Sequence, residues 1–235
     1  MPCAVSPTTS GEVISRFGIR RGITTGRPTF HAGIDLKGRT GDPVYAAAEG
    51  IVDRVFDNDP ISSMRGYGNV VILRHENQIW TSYNHLSRKL VTEGGHVSKG
   101  DLIGYVGNTT NGKFRTMIPH LHFEVRHAKP DGSIPFPGAY GRYNIDPVLW
   151  LDANGLDPRT LGPTTRPCVP GARARTSDEL RRRSLAGLGV VVPWSDLTEG
   201  QTESEYEPPT IFATAKSIGW GIALVGTAVA IGKRP

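Results

Sequence analysis

The chain has 235 residues, enough for one ordinary domain with a long appendage or for two small ones, and its 37% hydrophobic, 21% charged and 8% aromatic residues exclude a wholly disordered polymer. Its 29 Gly and 18 Pro make up one residue in five and favour short strands and turns over long helices. The net charge of +5 comes from 27 basic against 22 acidic residues; it suits attraction to any anionic polymer and singles out no specific nucleic acid.

In chain order, Met1-Pro2-Cys3-Ala4-Val5 and the polar residues after it lack the basic and apolar stretches of a cleavable secretory signal. Residues 1–10 are expected to be a flexible N-terminus. From 11 to 152 the chain reads as an all-β domain. Gly50–Phe56, Asn69–Arg74, Ile79–Tyr83 and Leu102–Val106 are rich in β-branched and aromatic residues, and Gly, Asn, Asp or Pro punctuate them. No window in this region carries an apolar period near 3.6.

Residues 153–210 read as a linker, first Pro/Arg-rich, with Pro158, Pro163, Pro167, Pro170 and the run Arg181-Arg182-Arg183. It then turns acidic through Asp196, Glu199, Glu203, Glu205 and Glu207. Residues 211–232 are expected to form a transmembrane or membrane-associated helix: the run from Ser217 to Gly232 carries no charge, and starting at Ile211 the helix would reach roughly 33 Å. Lys216, Lys233 and Arg234 would snorkel to the interfaces. The only two cysteines, Cys3 and Cys168, show neither a disulfide framework nor a Cys-x-x-Cys metal spacing.

The densest chemistry lies in Pro119-His120-Leu121-His122-Phe123-Glu124-Val125-Arg126. On a strand, alternation puts His120, His122, Glu124 and Arg126 on one face and Leu121, Phe123 and Val125 on the other, with the two imidazoles about 7 Å apart. His31-Ala32-Gly33-Ile34-Asp35 adds an imidazole and a carboxylate across a glycine. Two His and one Asp are three ligands that leave a fourth tetrahedral position open, the composition of a catalytic rather than a structural zinc site. His85, in Tyr83-Asn84-His85-Leu86, is a further imidazole for proton transfer or oxyanion stabilisation. His75, His96 and His127 read as surface residues. Spacing alone does not divide His120 from His122.

These segments, taken with Ile14–Arg20, Val44–Val52, Gly68–Ile72, Val97–Gly104 and Ile145–Leu151 in that order, resemble the lysostaphin and LytM-type zinc endopeptidases of bacterial peptidoglycan. The resemblance covers residues 11–152. It implies an all-β, antiparallel sheet-based peptidase domain with a groove over one zinc ion, held by His31, Asp35 and His122. It also implies His120 as general base and His85 as a stabiliser of the developing oxyanion. The implied substrate is bacterial peptidoglycan. The signal-free start and the apolar C-terminal segment, taken by themselves, are read as those of a bacteriophage protein, carried in the virion or released at lysis with that segment fixed in a membrane, the alternative being a bacterial tail-anchored enzyme. Met117-Ile118 and Asn84 depart from the family's usual residues, which bears on the groove and on oxyanion stabilisation. The rival reading is a wall-binding or regulatory domain without catalysis, as in family members that have lost zinc ligands; the complete His and Asp set argues against it.

Overall fold

The computed structural model describes residues 3–21, 28–59, 66–113, 117–129, 131–133 and 143–163. The rest of the expected linker and the 211–232 segment lie outside the described residues, and among the described residues no helix is long and apolar enough to cross a membrane.

Among the described residues, thirteen short strands, one α-helix and a 3-10 turn at Glu76–Gln78 follow the turn punctuation of the sequence: β1 (Val13–Ser15), β2 (Gly18–Arg21), β3 (Pro28–His31), β4 (Ile34–Lys37), β5 (Pro43–Tyr45), β6 (Gly50–Phe56), β7 (Asn69–Arg74), β8 (Ile79–Leu86), β9 (Arg88–Lys89), β10 (His96–Val97), β11 (Leu102–Tyr105), β12 (His120–His127), β13 (Asn144–Ile145) and α1 (Pro147–Ala153). The main sheet has the order β1-β4-β12-β8-β7-β6-β10, and β13 pairs with β12 beyond the end of β4. A three-stranded sheet, β5-β11-β9, and the hairpin β2-β3 complete an antiparallel architecture.

The two central strands are buried along their length, β8 at every position and β12 everywhere but its two ends. Their apolar face carries Leu121, Phe123 and Val125 of β12 with Tyr83 and Leu86 of β8, joined by Ile34 and Leu36 of β4 in the main core. The Tyr83 hydroxyl accepts a hydrogen bond from Ala47 N at 2.8 Å and so satisfies the one polar atom of that ring inside the core. The opposite face of β12 carries His122, Glu124 and Arg126 and is also buried, so it is a covered polar layer and not a solvated one.

Three features go beyond the sequence expectations. The all-β reading lacks α1, which Asp146 caps by accepting from Val148 N, with Pro147 in its first turn; seven residues are too few to display a helical period. The first ten residues, read as a flexible lead-in, are in part packed: Ala4 is fully buried, Val5 N donates to Ala47 O and Thr8 bridges to Val44. Past residue 152, Leu156 and Leu161 join the same core, so the packed chain runs on into what reads as linker. Cys3 is disulfide-bonded; Cys168, the other cysteine of the chain, lies outside the described residues.

Candidate metal centre

Register brings Asp35 of β4 directly opposite His122 of β12, and because Ile34 and Leu36 point into the core, Asp35 points into the polar layer beside that imidazole. His31 arrives from the end of β3 through Ala32 and Gly33. A side chain on Gly33 has no room: a Cβ there would collide with Phe123 O and stand 2.9 Å from Glu124 Cγ. Glycine is therefore what lets the turn between His31 and Asp35 lie against β12.

His31, Asp35 and His122, all buried, form a group of metal-ligating type whose ligand atoms lie within 4.8 Å of one another; it is the one such group among the described residues. The three facing atoms make a tight triangle: His31 Nε2 to His122 Nδ1 is 3.0 Å, His31 Nε2 to Asp35 Oδ1 is 3.1 Å, and His122 Nδ1 to Asp35 Oδ1 is 2.9 Å. Outer hydrogen bonds fix what each atom presents. His31 Nδ1 donates to Arg16 O at 2.8 Å, which leaves a lone pair on Nε2. His122 Nε2 donates to Glu124 Oε1 at 2.9 Å, which leaves one on Nδ1. The other oxygen of Asp35 accepts from Arg20 Nη1 at 3.1 Å. Three lone-pair atoms converging in a buried space repel one another unless something positive lies among them.

The electrostatics carry the same message. Burial opposes the charge on Asp35, yet the imidazoles of His122 and His31 beside it, which become donors as soon as they gain a second proton, hold its carboxyl far below the usual carboxylate range. Burial likewise opposes a charge on His122, but its bonds to Asp35 and Glu124 outweigh that and raise it to about 9. A positive charge is favoured at this point, and a proton on His122 supplies it when no cation does. A tetrahedral ion with bonds of about 2.0–2.1 Å sets its ligand atoms about 3.3 Å apart, so a triangle with edges of 2.9–3.1 Å fits zinc with a small outward relaxation.

The other two predicted residues stand at the edge of this triangle. His120 stays partly exposed, with Nε2 3.5 Å from Asp35 Oδ1 and Nδ1 donating to Ile118 O at 2.8 Å. Burial lowers its basicity, so it is a neutral imidazole with its lone pair on Nε2. His85 lies within β8, which runs to Leu86 and so past the end read from the sequence at Tyr83. The pairing shifts there: Asn69 faces Leu86 and Val71 faces Tyr83, so one extra residue of β8 is accommodated, and His85 has φ +66°. That bulge breaks the alternation that would send His85 into the core beside Tyr83 and puts its ring 4.9 Å from that of His120. Its Nδ1 donates to Thr109 O at 2.9 Å. Burial, with repulsion from His122 and His120, pushes it down to about 3. Neutral His85 thus offers an acceptor at Nε2, and donation to an oxyanion requires the ring to be protonated.

Sequence reading missed several supports of the site. Arg20 and the Arg16 carbonyl come from the β1–β2 region, and no local pattern marks either. Asn84, opposite His122, donates from Nδ2 to His122 O at 2.9 Å and accepts from Ser82 at 2.8 Å, which pins the β12 backbone at His122. Of the histidines read as surface residues, His96 is exposed, but His75 is tied to Glu49 O at 2.6 Å and Thr81 Oγ1 at 2.7 Å next to Trp150, and burial pushes it down to about 4. His127 is partly buried against Tyr143.

Residues 29–134 match the family model described as Peptidase family M23. The chain is 37% identical over 122 residues, 52% of its length, to the DD-carboxypeptidase/endopeptidase Mpg of Neisseria meningitidis serogroup B, covering 26% of that protein. It is 38% identical over 121 residues to the peptidoglycan DD-endopeptidase ShyC of Vibrio cholerae serotype O1, covering 51% of this chain and 25% of that one. The chain therefore spans about a quarter of the length of these relatives. Among solved structures, the solution structure of lysostaphin is similar over 71% of this chain and 60% of its own, with 25% identity and a TM-score of 0.50.

Proposed function

We propose that this chain, whose residues 29–134 form a Peptidase family M23 domain, is a zinc-dependent endopeptidase that hydrolyses peptide bonds in bacterial peptidoglycan. The observation that carries the reading is the buried triangle of three lone-pair atoms on His31, Asp35 and His122, a donor set whose type and spacing fit a single cation. The activities for which the relatives in Neisseria and Vibrio are named support peptide bonds of peptidoglycan as the substrate.

His31, Asp35 and His122 would hold the ion. Zinc in such a site supplies a Lewis acid for the scissile carbonyl and makes water a nucleophile at neutral pH. His120 is the general base. Its Nδ1–H is engaged by Ile118 O, so Nε2 is free to take the proton of the attacking water and to return it to the leaving amine. The partial exposure of His120 suits a group that must meet substrate. His85 stands beside His120 where the developing negative charge would lie; with its Nδ1–H spent on Thr109 O, it would hold that charge only after Nε2 takes up a proton, against the burial that keeps the free ring neutral. Arg20 occupies the second oxygen of Asp35, which keeps the other turned toward the imidazoles. The uncharged run from Ser217 to Gly232 supports holding the chain at a membrane.

Digestion of purified peptidoglycan by the full chain tests the catalytic reading. Soluble fragments bearing new amino and carboxyl ends are expected with zinc, and none after chelation. A chain that binds zinc yet releases no fragments from any peptidoglycan would reject catalysis in favour of a regulatory, wall-binding domain.

A further inference from the structure

We propose that Glu124, held by the guanidinium of Arg126, is the positioning residue of the metal centre: it fixes His122 in the tautomer that presents Nδ1 to the ion and locks the turn bearing the other two ligands in place. The inference rests on the zinc site proposed above and adds the residues that make it tight.

Glu124 and Arg126 are both fully buried. A buried ion pair contributes little net stability, because desolvating two charges offsets their attraction, so retaining one in a sheet interior calls for another reason. Here the carboxylate divides its work. Its Oε2 accepts from Arg126 Nε at 2.8 Å and lies 2.7 Å from Arg126 Nη2, while Oε1 is left for His122 Nε2 at 2.9 Å. A carboxylate only accepts, so the His122 proton must sit on Nε2 and the lone pair on Nδ1, the atom that faces His31 and Asp35.

The same side chain also supports the other ligand segment. The turn at Gly33 lies directly against Glu124 Cγ. Asn144 of β13 donates to Ala32 O at 2.7 Å and stands 3.5 Å from Glu124 Oε2. One anion therefore joins β12, β13 and the loop from His31 to Asp35, with Arg126 as the counter-charge that lets it stay ionised out of water.

Two measurements on the full chain test this. In the zinc-loaded wild type, ring-nitrogen NMR is expected to find the metal-shifted nitrogen of His122 at Nδ1 and a proton on Nε2; a metal-shifted or unprotonated Nε2 overturns the proposal. In the second, Glu124→Gln combined with Arg126→Met removes both charges together, so no buried guanidinium is stranded. The double variant is expected to keep a metal-free Tm near that of the wild type and to bind zinc, measured by competition with a chromogenic chelator, about 10–100-fold more weakly. Zinc affinity equal to wild type in the folded double variant reduces the pair to a structural one and overturns the proposal. Should the double variant not fold, the wild-type tautomer decides alone. A wild type that takes up no zinc would reject the metal centre itself, and this inference with it.

Discussion

Truncating one imidazole at a time along β12 should separate metal retention from turnover, although the two rings are only two residues apart. His122→Ala removes one corner of the three-atom triangle, whose remaining corners, His31 Nε2 and Asp35 Oδ1, are 3.1 Å apart. His120→Ala leaves that triangle whole, since His120 stands outside it, with Nε2 3.5 Å from Asp35 Oδ1. Binding to the native state alone stabilises it by RT ln(1 + [L]/Kd), about 2.7 kcal/mol at a hundredfold excess over Kd. For a domain of this size each kcal/mol moves Tm by about 2–4 °C, so zinc should raise Tm by roughly 5–11 °C. Thermal unfolding with and without zinc is therefore expected to show the full shift for wild type and His120→Ala, and little or none for His122→Ala. Peptidoglycan digestion should fall about 10²–10⁴-fold in His120→Ala, the usual worth of a general base and equal to about 2.7–5.4 kcal/mol of barrier. A His120→Ala chain that loses its zinc shift, or a His122→Ala chain that keeps it, would refute the division of roles.

Gly33→Ala forces a Cβ onto Phe123 O, backbone of the central strand that cannot yield cheaply. We expect a loss of about 1–3 kcal/mol or more in chemical denaturation, together with weaker zinc uptake; an unchanged midpoint would show that the turn has more freedom than its packing implies. His75 is held neutral, with its pKa lowered to about 4 against 6.5 for the free side chain. Its contribution is thus fully present above pH 6.5 and is lost as pH falls toward 4, on the order of 1–2 kcal/mol after allowance for its partial exposure. The metal-free wild type should lose stability over that window faster than His75→Gln, and parallel curves would reject the assignment. Asp146→Ala removes the cap on Val148 N and should cost about 1 kcal/mol in thermal unfolding, which Asp146→Asn should largely restore.

Much of the site was legible as local pattern. Strand alternation places His120, His122, Glu124 and Arg126 on one face, and β12 adopts that arrangement with Leu121, Phe123 and Val125 in the core. The glycine between His31 and Asp35 reads as a turn, and the structure shows the reason in the close approach of that turn to β12. The helix α1 was not legible, because its formation rests on one cap and on packing of Val148, Trp150 and Leu151 rather than on a repeated period. The contributions of Ala4, Leu156 and Leu161 to the core were missed for a similar reason, since single apolar residues in polar, Pro-rich surroundings carry no periodic signal.

The division between the two sources of order is sharpest around the histidines. The residue types and their spacing of two along β12 and four across Gly33 were enough to single out His31, Asp35 and one of His120 and His122 as a candidate ligand set, because alternation and donor chemistry are properties of a few consecutive residues. Which histidine of β12 faces His31 and Asp35 was decided by the register of β4 against β12, by the carboxylate of Glu124 and by the carbonyl of Arg16. Whether His85 enters the core or the site was decided by a bulge against β7. Each of these depends on a partner supplied by another strand, so the tautomers and the convergence of the five side chains exist only once the sheet has closed.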